Sequence, residues 1–233
     1  MRPKLHMRIS YIANIRLPTE KAHGYQIMRV CAALARLGHE VHLFVPTRED
    51  DPHDAFAFYG IERNFKLTYV RCFPWMRYVT YFGRTAFFLQ SFAFLRALKK
   101  SGLDTNSIVY TRDAEAVWYF SRRGMRCIYN AHTLPRRAYI AGFLARRARG
   151  AVCNSRGTEA ALKVVLPHVS SIVVYNASDP NPYLGVDKAQ LRAELGLFTT
   201  GPLVMYTGHL YGWKGVDTLL SCAPLAPGIT FAL

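Results

Sequence analysis

The sequence predicts an α/β fold, a parallel sheet with helices on both faces. Three observations predict it. Short runs of strand formers alternate with stretches of helical spacing along the first 175 residues. The runs are apolar almost throughout, as strands buried on both faces are. Gly38 and Pro46 punctuate the ends of the first helical stretch and the second run, as chain reversals require.

The elements follow in order. Met7–Ala13 (MRISYIA) is the first strand. Gly24–Leu37 has helical spacing, with Ile27, Val30, Cys31, Leu34 and Leu37 on one face. Gly38 stands where a helix C-terminus takes glycine. Val41–Val45 is a second strand, and a polar loop, Thr47–Asp54, leads to a third at Lys66–Cys72. Arg84–Lys100 reads as a long helix. Ile108–Thr111, Cys127–Asn130, Ala151–Cys153 and Ile172–Tyr175 are further strands, separated by helices near Ala114–Ser121, Arg137–Arg149 and Thr158–Val165. The composition changes after Tyr175. Asn176–Val186 reads as a linker, with two prolines and a glycine. A short helix follows at Lys188–Leu195. The rhythm then restarts: strand Leu203–Thr207, helix Gly215–Cys222, strand Ile229–Leu233. A second domain with only these elements is incomplete, so the sequence reads as a fragment.

Composition bounds the function. Hydrophobic residues are 51% and charged residues 19% of 233, which excludes a disordered or coiled-coil chain. Five cysteines, an odd number without metal-like spacing, argue against a disulfide framework and for a reducing cytosol; they fall mostly in apolar runs and read as buried fillers. Lys and Arg number 30 against 15 Asp and Glu, a net charge of +15. Such a chain meets an anionic partner: nucleic acid, membrane lipid or a phosphorylated small molecule. No secretion signal is expected, because the apolar core Ile9–Ala13 is too short. The most hydrophobic window, Val79–Leu98, is broken by Gly83, Arg84, Gln90 and Arg96 and predicts a buried or interfacial helix rather than a span.

Ligands of parallel sheets bind at the carboxyl ends of the strands, where the unusual residues lie. After the first strand comes Asn14–Gln26 (NIRLPTEKAHGYQ). Its Gly24 precedes a helix, and a glycine there lets backbone N–H groups approach an anion. The segment has no G-x-G-x-x-G dinucleotide fingerprint; an ordinary loop is the alternative. His23 in this loop is a candidate acceptor contact, and Arg112, after the fourth strand, a candidate phosphate contact. Asp113 beside it reads as a helix N-cap. Glu49–Asp54 (EDDPHD) is acidic, but no metal site is expected there.

Near the C-terminus stands Tyr206–Leu220 (YTGHLYGWKGVDTLL). Gly208, Gly212 and Gly215 make the loop permissive, and Lys214 sits just before a helix, where an ammonium suits a diphosphate. A solvated lysine is the alternative. Loss of a charge-assisted contact of this kind removes roughly 1.5–3 kcal/mol.

This segment resembles the donor loop of family 4 glycosyltransferases of the two-domain GT-B fold. The resemblance runs back through PTEKAHGYQIM with LxxxGHEV, YTRD at Tyr110–Asp113, NAH at Asn130–His132, NS at Asn154–Ser155 and YNA at Tyr175–Ala177. It implies two Rossmann-like domains: residues 1–180 on the acceptor side, and 181–233 as linker and start of a nucleotide-sugar domain. It implies a retaining, metal-independent transfer, of hexosyltransferase type, from a nucleotide diphosphate sugar to a lipid-linked or cell-surface glycan in the cleft between the domains. No other cofactor is implied. Lys214 matches the lysine on the donor diphosphate and His132 the histidine facing the donor sugar. Gly24, Gly208, His209 and Gly215 complete the donor set. Two departures stand out. His209 occupies the position of an arginine, and a neutral imidazole does not replace a permanent bidentate cation. The family also has two glutamates eight residues apart, a spacing absent among Glu20, Glu40, Glu49, Glu62, Glu115, Glu159 and Glu194; that pair is expected beyond Leu233, and this fragment alone is expected to be inactive.

Arg63–Leu103 carries eight Lys or Arg and no acid, interleaved with Phe73, Trp75, Tyr78, Tyr81, Phe82, Phe87, Phe88, Phe92 and Phe94. Three readings stand: a core helix whose cations snorkel outward, an anionic membrane interface, or a platform for single-stranded nucleic acid. The resemblance favours peripheral membrane contact from the cytoplasm over nucleic acid. Arg122–Arg149 repeats the basic theme with eight arginines and no acid. A non-catalytic phosphate- or membrane-binding module left from a glycosyltransferase is the alternative function.

Overall fold

A computed structural model describes residues 6–48, 54–83, 85–132, 138–178, 183–197 and 201–233. The chain divides into two compact units, Met1–Asn176 and Ala177–Leu233.

The first unit is built on strands β1 (Arg8–Ile12), β2 (Glu40–Pro46), β3 (Lys66–Val70), β4 (Ile108–Thr111), β5 (Cys127–Ala131), β6 (Gly150–Cys153) and β7 (Ser171–Val173). They form one seven-stranded sheet in the order β3-β2-β1-β4-β5-β6-β7, with every pair parallel. The order reverses between β1 and β4, a topological switch point of the kind at which such sheets bind ligands. Helices α1 (Ala22–Arg36), α2 (Ala55–Tyr59), α3 (Val79–Phe82), α4 (Thr85–Ala97), α5 (Ala114–Ser121), α6 (Ala138–Ala145) and α7 (Arg156–Val165) connect the strands.

The period-two geometry of the strands builds two cores. Tyr11 and Leu43 face α1, where they join Ile27, Met28 and Cys31. Ile12 and Phe44, the next residues, face the other side and join Phe94, Val117 and Phe120 of α4 and α5.

Several elements depart from expectation for local reasons. The loop before the third strand holds α2: Asp54 Oδ1 accepts the Phe56 N–H at 3.1 Å and starts the helix. Helix α7 begins at Arg156 rather than Thr158, because Ser155 Oγ accepts the Thr158 N–H. The long helix after Arg84 stops at Ala97 and ends in a 3-10 turn, Leu98–Lys100; before it come a 3-10 turn, Trp75–Tyr78, and α3. Helix α6 stops at Ala145, where Ala148 N–H turns back onto its carbonyl. Asp113 does not cap α5 with its side chain, which is engaged elsewhere. Cys222 is exposed and Cys72 half-buried; Cys31, Cys127 and Cys153 are buried as expected. Residues 49–53 of the acidic segment lie outside the described residues.

The second unit contains α8 (Lys188–Glu194), β8 (Leu203–Met205), α9 (Val216–Cys222) and β9 (Thr230–Ala232). Strands β8 and β9 pair in parallel, so the stretch from Leu203 is a β-α-β unit, the connection that parallel neighbours require. Among the described residues no helix is long and apolar enough to cross a membrane.

Candidate functional site

Asn14 follows β1, Arg48 follows β2 and Asp113 follows β4, so three loops converge at the carboxyl edge of the sheet beside the switch point. Asn14 ties them together. Its backbone N–H donates to Asp113 Oδ2 at 2.8 Å, and its Nδ2 donates to Ser91 Oγ of α4 at 2.7 Å. Arg48 Nη2 donates to the Asn14 carbonyl and to Asn14 Oδ1, at 3.1 and 2.9 Å. Behind this hub, Thr111 Oγ1 donates to the Ile12 carbonyl at 2.8 Å and accepts the Asp113 N–H at 3.0 Å, which locks β4 to β1.

The hub forms the floor of a cavity of about 610 Å³, within the range of small-molecule sites. The loop after β1 supplies Arg16 and Lys21 to its wall, the first turn of α1 supplies His23, Met76, Phe87 and Phe88 supply its apolar part, and Asp113 and Glu115 add carboxylates. The cavity is thus amphipathic, lined by cations and aromatic rings together. Burial pushes the Asp113 carboxyl up to about 6, against the lowering effects of the Asn14 N–H, Arg112 and Arg48.

The expected residues of this unit fall into place as follows. His23 lines the cavity; burial, then Lys21 and Arg112, lower its proton affinity. His132 directly follows β5, half-buried, and burial followed by the Arg112 charge pulls it down to about 4, so its ring is neutral at pH 7. Arg112 therefore acts on both histidines. It is not among the cavity-lining residues, and its Nε and Nη2 are buried without a partner among the described residues. Gly24 is the third residue of α1, and its N–H donates to the Lys21 carbonyl. A Cβ at Gly24 would lie 2.3 Å from Tyr59 Oη and 2.6 Å from Thr19 Cγ2. The Tyr59 hydroxyl in turn donates to the Thr19 carbonyl and accepts the Thr19 N–H, both at 2.7 Å. The glycine thus has a packing role: it admits the tyrosine that pins the loop.

In the second unit, Gly208 and Gly215 take positive φ of 146° and 75°, which favours glycine. Between them His209, Tyr211 and Trp213 form a run of neighbouring rings, Tyr211 and Trp213 stacked nearly parallel at 6.0 Å. Tyr206 Oη donates to the His209 carbonyl at 2.8 Å. Lys214 Nζ lies 4.6 Å from the centre of the Trp213 ring, which is 77% exposed. Lys214 forms no ion pair among the described residues.

Asn14, Arg48, Lys21 and Glu115 were not singled out by the sequence. Arg48 and Asn14 each lie two residues beyond a strand end, the one positional signal that points to them.

The family Glycosyltransferase Family 4 matches residues 24–181. A search of curated proteins finds no match. Among solved structures, sucrose-phosphate synthase from Thermosynechococcus elongatus is similar, with TM-score 0.75 and 19% identity over 97% of this chain and 61% of that one. A trehalose-6-phosphate structure from E. coli, bound with UDP-2-fluoro glucose, has TM-score 0.60 and 13% identity over 97% and 64%. An α,α-trehalose-phosphate synthase (UDP-forming) from Burkholderia vietnamiensis has TM-score 0.59 and 12% identity over 98% and 64%. The chain spans less than two thirds of the length of these three solved chains.

Proposed function

Because the chain belongs to glycosyltransferase family 4 and has the GT-B type of fold, we propose that it serves the transfer of a sugar from a nucleotide diphosphate sugar to an acceptor held in the cavity of the first unit. The observation that carries this reading is the cavity itself: it sits at the carboxyl edge beside the switch point and is built from convergent polar groups on an apolar wall. In this reading residues 1–180 form the acceptor-side domain and 181–233 begin the donor-side domain.

Lys214 grips the donor diphosphate. Among the described residues it is a cation without a competing acid, held beside Trp213. Its charge stabilises the diphosphate as the bond to the sugar breaks, the electrostatic role that a metal fills in other transferases. Gly208, His209 and Gly215 shape the loop around it. His132, neutral at pH 7, orients the sugar by hydrogen bonding rather than by charge. Gly24 holds the first loop in place. His23 contacts the acceptor, and the Arg112 charge adds to the burial that lowers the proton affinity of both histidines, while its Nε and Nη2 have no partner among the described residues. Transfer proceeds with retention and is of hexosyl type; the acceptor is a lipid-linked or surface glycan met on the cytoplasmic side. The similarity to a structure bound with UDP-2-fluoro glucose supports a nucleotide-sugar donor.

The test is sugar transfer by the full-length protein with a panel of nucleoside diphosphate sugars. Lys214→Ala lowers transfer by about tenfold to more than a hundredfold and leaves the fold intact. Wild-type turnover in that variant overturns the role of Lys214.

A further inference from the structure

Helix α4 is apolar around most of its circumference, and a helix of that kind belongs inside a core or in lipid. Only one side reaches the core, through Ala86, Gln90, Phe94 and Leu95. Phe87, Phe88, Leu89 and Phe92 of the same helix are exposed. The preceding turn adds a cluster of rings. Phe73 packs on Trp75 at 4.8 Å and stacks on Tyr78 at 6.0 Å, and Trp75 meets Phe82 edge-on at 6.0 Å. Tyr81 next to it is 84% exposed. Gln90 fastens this turn to α4, donating to Cys72 Sγ and accepting the Met76 N–H. This many exposed rings on neighbouring elements marks an interaction surface.

Its rim is cationic. Phe88, Phe92 and Arg96 succeed one another at four-residue steps, and so share one line of the helix. Lys99 and Lys100 follow. Phe92 packs on Tyr119, which also carries the Arg123 guanidinium at 3.5 Å from its ring centre. Among the described residues Arg96, Lys99, Lys100 and Arg123 form no ion pair. The face also runs into the cavity, because Phe87 and Phe88 are both exposed and part of its apolar wall.

We propose that this aromatic face docks on an anionic lipid bilayer, with Tyr81, Phe82 and the outer α4 rings at the headgroup level and the cations on the lipid charge. Rings at the interface with lysine and arginine around them are what such a surface requires. The proposal deepens the glycosyltransferase reading and rests on it for one consequence: the cavity mouth then opens at the membrane, and its acceptor is an amphiphile whose polar part reaches Lys21 and Arg16 past Phe88.

The experiment is co-sedimentation of the full chain with phosphatidylcholine vesicles, with and without phosphatidylglycerol. The expected result is binding that needs phosphatidylglycerol and weakens with salt. Tyr81→Ser with Phe82→Ser reduces it about tenfold or more, as loss of buried aromatic area predicts. Lys99→Glu with Lys100→Glu reduces it independently by at least about fivefold per charge removed, so the proposal stays testable if the aromatic variant misfolds. A chain that stays in solution with both vesicles overturns the proposal. So does wild-type binding in both variants, a dimer that the aromatic substitutions dissolve, or binding to single-stranded DNA in place of vesicles. No donor sugar enters this assay. A wild-type protein that binds neither vesicle yet transfers sugar to a soluble acceptor sinks the docking surface alone, and the converse sinks the glycosyltransferase reading alone.

Discussion

The backbone N–H of Asn14 and the carboxylate of Asp113 meet at 2.8 Å across the reversal point between β1 and β4. This bond explains why Asp113 is not a side-chain cap for α5: the carboxylate spans two strands instead of closing its own helix. It also sets the floor of the cavity, because the same asparagine holds Ser91 and Arg48.

Asn14→Ala removes the side-chain bonds to Ser91 and Arg48 and leaves the buried partners short of bonds. The expected cost is about 1–3 kcal/mol, a fall in Tm of about 2–10 °C for a domain of this size. Thermal unfolding followed by circular dichroism measures it. An unchanged Tm shows that the hub does not hold the loops.

Asp113 is the acid whose affinity for protons rises on folding, from the ordinary carboxyl range to about 6. The native state therefore binds more protons than the unfolded state between about pH 4 and 6, and this group makes stability fall as pH rises through that window. Asp113→Asn keeps an oxygen for the Asn14 N–H without the charge. It is expected to exceed the wild type in urea midpoint at pH 8, with the difference vanishing by pH 4. A wild type more stable at pH 8 contradicts the assignment.

His132 behaves oppositely. Its proton affinity falls on folding, to about 4, so its contribution to stability is complete above the ordinary histidine range near 6.5 and is lost as pH drops toward 4. Its ring resonance stays at the neutral position down to pH 5 in an NMR titration. Arg112→Met raises the midpoint, since the guanidinium is the second cause of the shift after burial. A wild-type midpoint near 6.5 rules this out.

Gly24→Ala destabilises by about 1–3 kcal/mol through overpacking against Tyr59 and Thr19. Tyr59→Phe alone costs the two bonds to Thr19. In the double variant the clash with the hydroxyl is gone, so the two losses combine to less than their sum, with a coupling of about 0.5–3 kcal/mol. Strict additivity shows that Tyr59 is not what requires the glycine.

Much of the first unit is legible in the sequence. Strand Ile108–Thr111 and helix Ala114–Ser121 stand at their expected bounds, because an apolar run closed by a polar pair (Arg112, Asp113) marks both ends locally. Helix α2 is not legible: it is a five-residue turn held by one cap and a tertiary contact. The outward rings of α4 share the composition of its buried ones, and only the packing partner distinguishes Phe94 from Phe92. The cavity floor is illegible for a related reason. Asn14, Arg48, Ser91 and Asp113 carry no shared spacing, and their sequence separations of 34 to 99 residues are closed by the sheet order alone. The glycine-rich loop of the second unit is the reverse case, since Gly208 to Gly215 is one contiguous segment whose pattern reads directly.

The most direct test of the central claim is transfer of a labelled sugar by the full-length protein, wild type beside Lys214→Ala, at matched fold content. The account predicts product from at least one nucleoside diphosphate sugar with anomeric configuration retained, and a loss of about tenfold to more than a hundredfold in the variant, the rate equivalent of one charge-assisted contact. Equal product from both proteins, or none from the wild type with any donor, contradicts it.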